Sequence, residues 1–301
     1  MTNPTKQMEL LKILHRRLGQ KQWVSTSTSK VQVRTALGIV FSGFPEIDHM
    51  TGGFWQGDLI VIAASPCMGK TALALNIAEQ VALTQGLPVA IFSMDMGVEQ
   101  IVTRMAGSIG LISLDHLRTG KLTEHEGPRL ADAIVDLSAA RLHVSESGRL
   151  TFDELRKEAS DFFRICGGAG LIVVDHLQLV RDKAAGGKVQ IEASSETLQR
   201  LKMLAIELRC PIIALSQLPA GVETRKNKRP VIGDLGSTRH VERNADIVML
   251  LYRDQVYTGD ACNEPGLVDV IFVKRRDGST GLEKLVFLEP IGRFESIADC
   301  I

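Results

Sequence analysis

A chain of 301 residues with 35 basic and 35 acidic groups carries no net charge when histidine is neutral, which argues against a polycation that coats nucleic acid through charge alone. Apolar residues at 45% and charged residues at 23% are globular proportions, with enough length for a substantial core and no apolar stretch long enough to span a bilayer. Five scattered cysteines, an odd number with no C-x-x-C pair, argue against a disulfide framework or a structural zinc site and suit a reducing compartment; with no apolar leader at the amino terminus, the expected location is cytoplasmic, with no membrane partner.

In chain order, Met8, Leu11, Leu14 and Leu18 recur about a turn apart and predict an amphipathic helix over 7–18. Lys6, Lys12, Arg16, Arg17, Lys21, Lys30 and Arg34 stand there against Glu9 alone, and residues 25–29 form a Ser/Thr tract that reads as linker. The expected division is residues 1–42, helix and linker, then residues 43–301, a compact domain. Within that domain, apolar runs at 59–63, 89–92, 171–174, 212–215 and 247–251 predict strands covered on both faces. Helical patterns around 70–85, 98–109, 123–140, 152–166 and 190–208 lie between the strands. Such alternation predicts an α/β fold with a doubly wound, mainly parallel sheet. Near the end, apolar runs at 268–273 and 285–288 flank Asp277-Gly278, a β-hairpin signal.

The sharpest local pattern is Ala64-Ser65-Pro66-Cys67-Met68-Gly69-Lys70-Thr71, which follows the first buried strand and opens an Ala/Leu-rich helix. That context is what a phosphate-binding P-loop requires, although Ala64 stands where the usual pattern has its first glycine. Within the loop Ser65–Lys70, the backbone N–H groups (Pro66 has none) and the helix dipole would surround the phosphates, Lys70 would reach the β- and γ-phosphates, and the Thr71 hydroxyl would bind Mg²⁺. The strand at 171–174 runs into Asp175, an acid suited to hold the same ion; its alternative is a strand-end turn cap. Likewise Asp95 follows the strand at 89–92 and Gln217 the strand at 212–215. Four strands thus deliver Lys70 and Thr71, Asp95, Asp175 and Gln217 to one sheet edge, where ligands of open α/β sheets gather.

With these residues assembled, the chain resembles the DnaB-type replicative helicases. The likeness rests on Ala64–Thr71, Phe92-Ser93-Met94-Asp95-Met96, the Asp175-His176-Leu177-Gln178 signature, Ala214–Leu218 and Val273-Lys274-Arg275-Arg276-Asp277-Gly278, in the family's order. It implies a RecA-like motor domain, ATP and Mg²⁺ as nucleotide and ion, single-stranded DNA as partner, and a homo-oligomeric ring, hexameric in the family. Carried over by position, Gln217 senses the γ-phosphate, Arg104 lies near the nucleotide (or is a helix-surface charge), and Lys274 and Arg276 reach a neighbour's site as a finger in trans. A helicase loader is a further implied partner. Too few residues precede the motor for the family's helical domain, so a short form without primase contact is expected.

The chain also departs from the family. Asp95 stands where the family has Glu to activate water, which shortens the carboxylate's reach and predicts slow hydrolysis. Glu99 is a substitute base or a first-turn acid complementing the helix dipole. Cys67 replaces the family's serine, as an oxidisable thiol or a plain small loop residue. In the DNA-contacting segment the family's Arg-Glu-Ser-Gly-Ser reads Gly236-Ser237-Thr238-Arg239-His240. Gly236, Ser237 and Arg239 either grip phosphate or belong to an ordinary polar loop; the basic run Arg225–Arg229 leads into it. The expected function is an ATP-dependent DNA helicase motor. The rival is a catalytically weak ATP-binding ring that acts as a replication scaffold; a recombinase-like filament ATPase fits the Lys274/Arg276 pair less well.

Overall fold

The computed structural model describes residues 38–145, 150–177, 195–235, 238–276 and 278–297. The helix expected over 7–18 and the tract at 25–29 lie outside those residues. A small antiparallel pair, β1 (Ile39–Val40) with β2 (Phe54–Trp55), brackets helix α1 (Pro45–Thr51) and leads into the main sheet.

The five apolar runs become parallel strands: β3 (Leu59–Ala64), β4 (Val89–Ser93), β6 (Leu171–Asp175), β7 (Ile212–Gln217) and β8 (Ile247–Tyr252). A sixth parallel strand, β5 (Leu142–Val144), is too short to announce itself in sequence and pairs with β4 at one edge. At the other edge β9 (Leu267–Lys274), β10 (Gly281–Leu288) and β11 (Arg293–Ser296) continue the sheet antiparallel. The order across the nine strands is β11-β10-β9-β8-β3-β7-β6-β4-β5. This is the doubly wound, mostly parallel sheet expected, with the terminal hairpin in place and one strand beyond it.

Alternate residues of β3 face opposite layers. Ile60 and Ile62 point into a core with Leu73 and Ile77 of α2 (Lys70–Glu79), Met105 of α3 (Val98–Gly110) and Leu130 and Leu137 of α5 (Glu126–Ala139). Leu59, Val61 and Ala63 enter the other, with Phe162 of α6 (Phe152–Cys166) and Leu201 and Leu204 of α7 (Ser195–Leu208). All six β3 residues are buried, which is why the run shows no polar alternation. The final turn of the α2 stretch, Gln80–Thr84, widens to an i→i+5 pattern, with Gln85 N donating to Gln80 O at 3.1 Å. Helix α6 starts at a capping box: the Thr151 side chain accepts from Glu154 N, and Glu154 reaches back to Thr151 N. Helix α4 (Leu114–Thr119) went unread in sequence because six residues hold too little periodicity. None of the described helices is long and apolar enough to cross a membrane.

Candidate nucleotide site

The end of β3 turns into α2 through residues 65–69. Cys67 takes φ +63° and Gly69 φ +93°, two left-handed residues that bend the chain back over the helix start. Gly69 is required there twice over: its φ disfavours any side chain, and a Cβ would sit 2.9 Å from the Phe294 ring. Ser65 and Met68 are buried and Pro66 and Cys67 exposed, so Met68 turns its side chain inward and offers the loop only its backbone.

Strand register sets the rest. Ala64 pairs with Gln217 on β7, and Ser93 of β4 pairs with Asp175 of β6. Leu218 N donates to Ala64 O at 3.1 Å and Met94 N to Asp175 O at 2.7 Å, tying the strand ends together. The contiguous strands β3, β7, β6 and β4 therefore bring Lys70 and Thr71, Gln217, Asp175 and Asp95 to one edge. Thr71 Oγ1 donates to Asp175 Oδ2 at 2.9 Å. Burial pushes the Asp175 carboxyl above its usual range, against the pull of Thr71, His176 and Lys70; the Asp95 charge adds to the push. His176 is pushed down, chiefly by burial. Asp95 and Gln217 are exposed at the mouth.

The ion implied by the family likeness is Mg²⁺, and the donor set fits it. A hydroxyl and a carboxylate in contact are hard oxygen donors, and among the described residues no cluster of three or more His, Cys, Asp or Glu builds an all-protein cage. Mg²⁺ characteristically takes one or two protein oxygens and leaves its other positions to phosphate and water.

Other sequence candidates fall elsewhere. Arg104 is exposed on α3, and among the described residues no hydrogen bond or ion pair joins it to the phosphate loop. Lys274 pairs in register with Val248, which pairs with Val61, so it lies toward the amino end of β3. Its ammonium donates to the carbonyls of Glu242 and Ala245, and burial lowers its pKa. Arg276 forms an ion pair with buried Asp58 and stacks over Trp55, its guanidinium carbon 5.5 Å from the ring centroid. Asp58 to Ser65 spans about 23 Å of extended strand, so neither cation reaches the phosphate loop of its own chain. Gly236 and Ser237 lie outside the described residues. Arg239 belongs to a short helix, α8 (Thr238–Asn244), rather than to a loop. In the basic run ahead of it the two arginines are paired with acids: Arg225 grips Asp234 through both terminal nitrogens at 2.9 and 2.8 Å, and Arg229 pairs with Asp269 at 2.6 Å.

One neighbour of the loop was missed in sequence. Arg253, directly after β8, donates from Nη1 to Cys67 O at 3.0 Å and from Nη2 to Glu289 Oε2 at 2.8 Å. The available signal was a fifth apolar strand ending at the same edge in Tyr252-Arg253-Asp254.

A phosphate loop after the central strand of such a sheet, with an acid closing a nearby strand, defines a RecA-like P-loop ATPase domain. A solved ATPase domain superimposes with a TM-score of 0.80 at 30% identity, over 88% of this chain and 95% of that one. The structure of a DnaB-like replicative helicase, described with its interactions with primase, also gives 0.80, at 26% identity over 97% of this chain and 76% of that one. A family model for the DnaB-like helicase C-terminal domain matches residues 39–296, and the chain belongs to that family. Among curated relatives, the replicative DNA helicase DnaC of Bacillus subtilis is 39% identical over 256 residues, 85% of this chain. The chain spans 56% of that relative's length.

Proposed function

We propose that this chain is the ATP-hydrolysing motor of a DNA helicase that works as a homo-oligomeric ring, hexameric by family, on single-stranded DNA during replication in the cytoplasm. The observation that carries the reading is the split of its chemistry between two sheet edges. The phosphate loop, Thr71 and Asp175 lie at one edge, and Lys274 and Arg276 lie at the other, beyond the reach of their own loop. A site built from both needs two copies of the chain.

In such a site the loop N–H groups and the α2 dipole bind the phosphates, and Lys70 adds a point charge. Thr71 and Asp175 hold the divalent ion, which when bound neutralises charge on the β- and γ-phosphate oxygens. Water attacks the γ-phosphorus as its bond to the bridging oxygen breaks, Asp95 takes the water proton, and ADP leaves with the electron pair of that bond. Gln217, one strand from the loop, contacts the γ-phosphate, and the neighbour's Arg276 and Lys274 stabilise the developing charge. Gly236, Ser237 and Arg239 serve the DNA backbone.

The test is ATP turnover by purified protein, with and without single-stranded DNA, on material sized by light scattering. DNA-stimulated turnover by a ring is expected. A strictly monomeric protein under saturating Mg-ATP overturns the reading. A ring that binds ATP without turnover favours the scaffold, to which the short, exposed Asp95 lends support.

A further inference from the structure

We infer that Arg253 is a positioning residue for the phosphate loop, fixing the Cys67 peptide so that the Met68 N–H is presented to phosphate. The inference rests on the nucleotide reading above and adds to it a residue outside the loop.

Arg253 is 3% exposed. A guanidinium taken out of water is costly unless its donors find partners. The Glu289 carboxylate it pairs with is 66% exposed, so that ion pair by itself repays little of the burial. Nε is buried with no partner among the described residues, which adds to the cost of the burial. The other partner is the loop: Nη1 donates to Cys67 O at 3.0 Å, and the Arg253 backbone N–H donates to buried Met68 Sδ at 3.3 Å. Phe287 lies beneath the guanidinium at 4.8 Å.

Peptide geometry converts this anchor into a function. In a trans peptide the C=O and the following N–H point in opposite directions. Holding the Cys67 carbonyl toward a buried arginine turns the Met68 N–H toward the open side of the loop. Cys67 is a non-glycine residue at φ +63°, a conformation that persists only when the surroundings over-determine it. Phe287 stacks on Phe294 at 4.5 Å, and Phe294 closes the space under Gly69. The β10–β11 unit thereby supports both left-handed residues, one through Arg253 and one directly.

The experiment compares Arg253→Met, Arg253→Lys and Glu289→Gln in the full chain. Readouts are the labelling rate of the exposed Cys67 thiol, quantified by peptide mapping without nucleotide, the Kd for Mg-ADP, and the melting temperature. Arg253→Met should speed Cys67 labelling about fivefold by freeing the loop. It should also weaken Mg-ADP about tenfold, the scale of one charge-assisted hydrogen bond. Arg253→Lys, which keeps the charge beside Glu289, should recover part of both, and covers the case in which the methionine variant fails to fold. Glu289→Gln keeps the Cys67 bond and should leave labelling and Kd within about twofold. The proposal is overturned if the folded arginine variants label and bind like the parent, or if Glu289→Gln matches them in all three readouts. Faster labelling in a protein whose parent form binds no Mg-ADP would uphold the loop anchor and remove the nucleotide reading.

Discussion

Two carboxylates show how neighbours a few ångströms away decide what one side chain does. Asp95 sits exposed at the mouth and is a methylene shorter than a glutamate, so as the proposed base it would hold water farther from the γ-phosphorus. Asp95→Glu should raise kcat about tenfold in steady-state ATPase assays, within the range of general-base effects; an unchanged kcat would remove the argument from reach. Glu79, on α2, is fully enclosed, and burial pushes its carboxyl up to about 8, against hydrogen bonds from Ser108 and Asn76 and the charge of Arg293. Its Oε1 has no partner among the described residues. Because the folded pKa lies above the ordinary carboxylate value, this group favours folding fully below that value, and the advantage is lost as pH rises toward about 8. Glu79→Gln supplies an uncharged amide, so it should flatten the fall in melting temperature between pH 5 and 8. At pH 8 it should melt at least about 2–4 °C above the parent, the equivalent of 1 kcal/mol for a chain of this size.

At the level of elements, the junction of β3 with α2 carries the strain. Gly69→Ala combines a disfavoured φ with a Cβ driven against Phe294, whose ring is stacked on Phe287 and has little room to yield. The expected cost is about 1–3 kcal/mol in urea denaturation, together with loss of nucleotide binding. Tight ADP binding by that variant would show that the left-handed turn is dispensable. The strands around this junction were readable from sequence because β3, β4, β6, β7 and β8 are covered on both faces and so read as unbroken apolar runs. The edge elements were not: β5 has three residues, and β11 alternates half-buried Arg293 and Glu295 with buried Phe294 and Ser296. Arg239 was read as loop because Thr238–Asn244 is a single short helix of mostly polar residues.

Across the whole molecule, the separation of the two edges predicts a complementation experiment. Lys70→Ala should abolish phosphate binding in its own chain but keep the cations it would lend; Arg276→Ala should do the reverse. Each variant alone should lose at least about 10³-fold in ATP turnover, as for removal of a transition-state arginine, and an equimolar mixture should regain activity. A mixture no more active than either component would mean that the site does not cross between copies. Both cations are held in place within the chain, Arg276 by Asp58 and Trp55 and Lys274 by the carbonyls of Glu242 and Ala245, so on the proposed reading a neighbour's phosphates would have to displace these partners.

Local chemistry alone determined the parallel sheet, the phosphate loop and the acids and amide that follow its strands, because each depends on residues adjacent in the chain: an apolar run, a turn, the side chain next along. Folding decided what supports that loop and which cations are out of its reach. Arg253 and Cys67 are 186 residues apart, and Phe294 reaches Gly69 from the far edge of the sheet. Contacts made by strand order and register leave no periodic trace in the chain, so only the folded sheet reveals them.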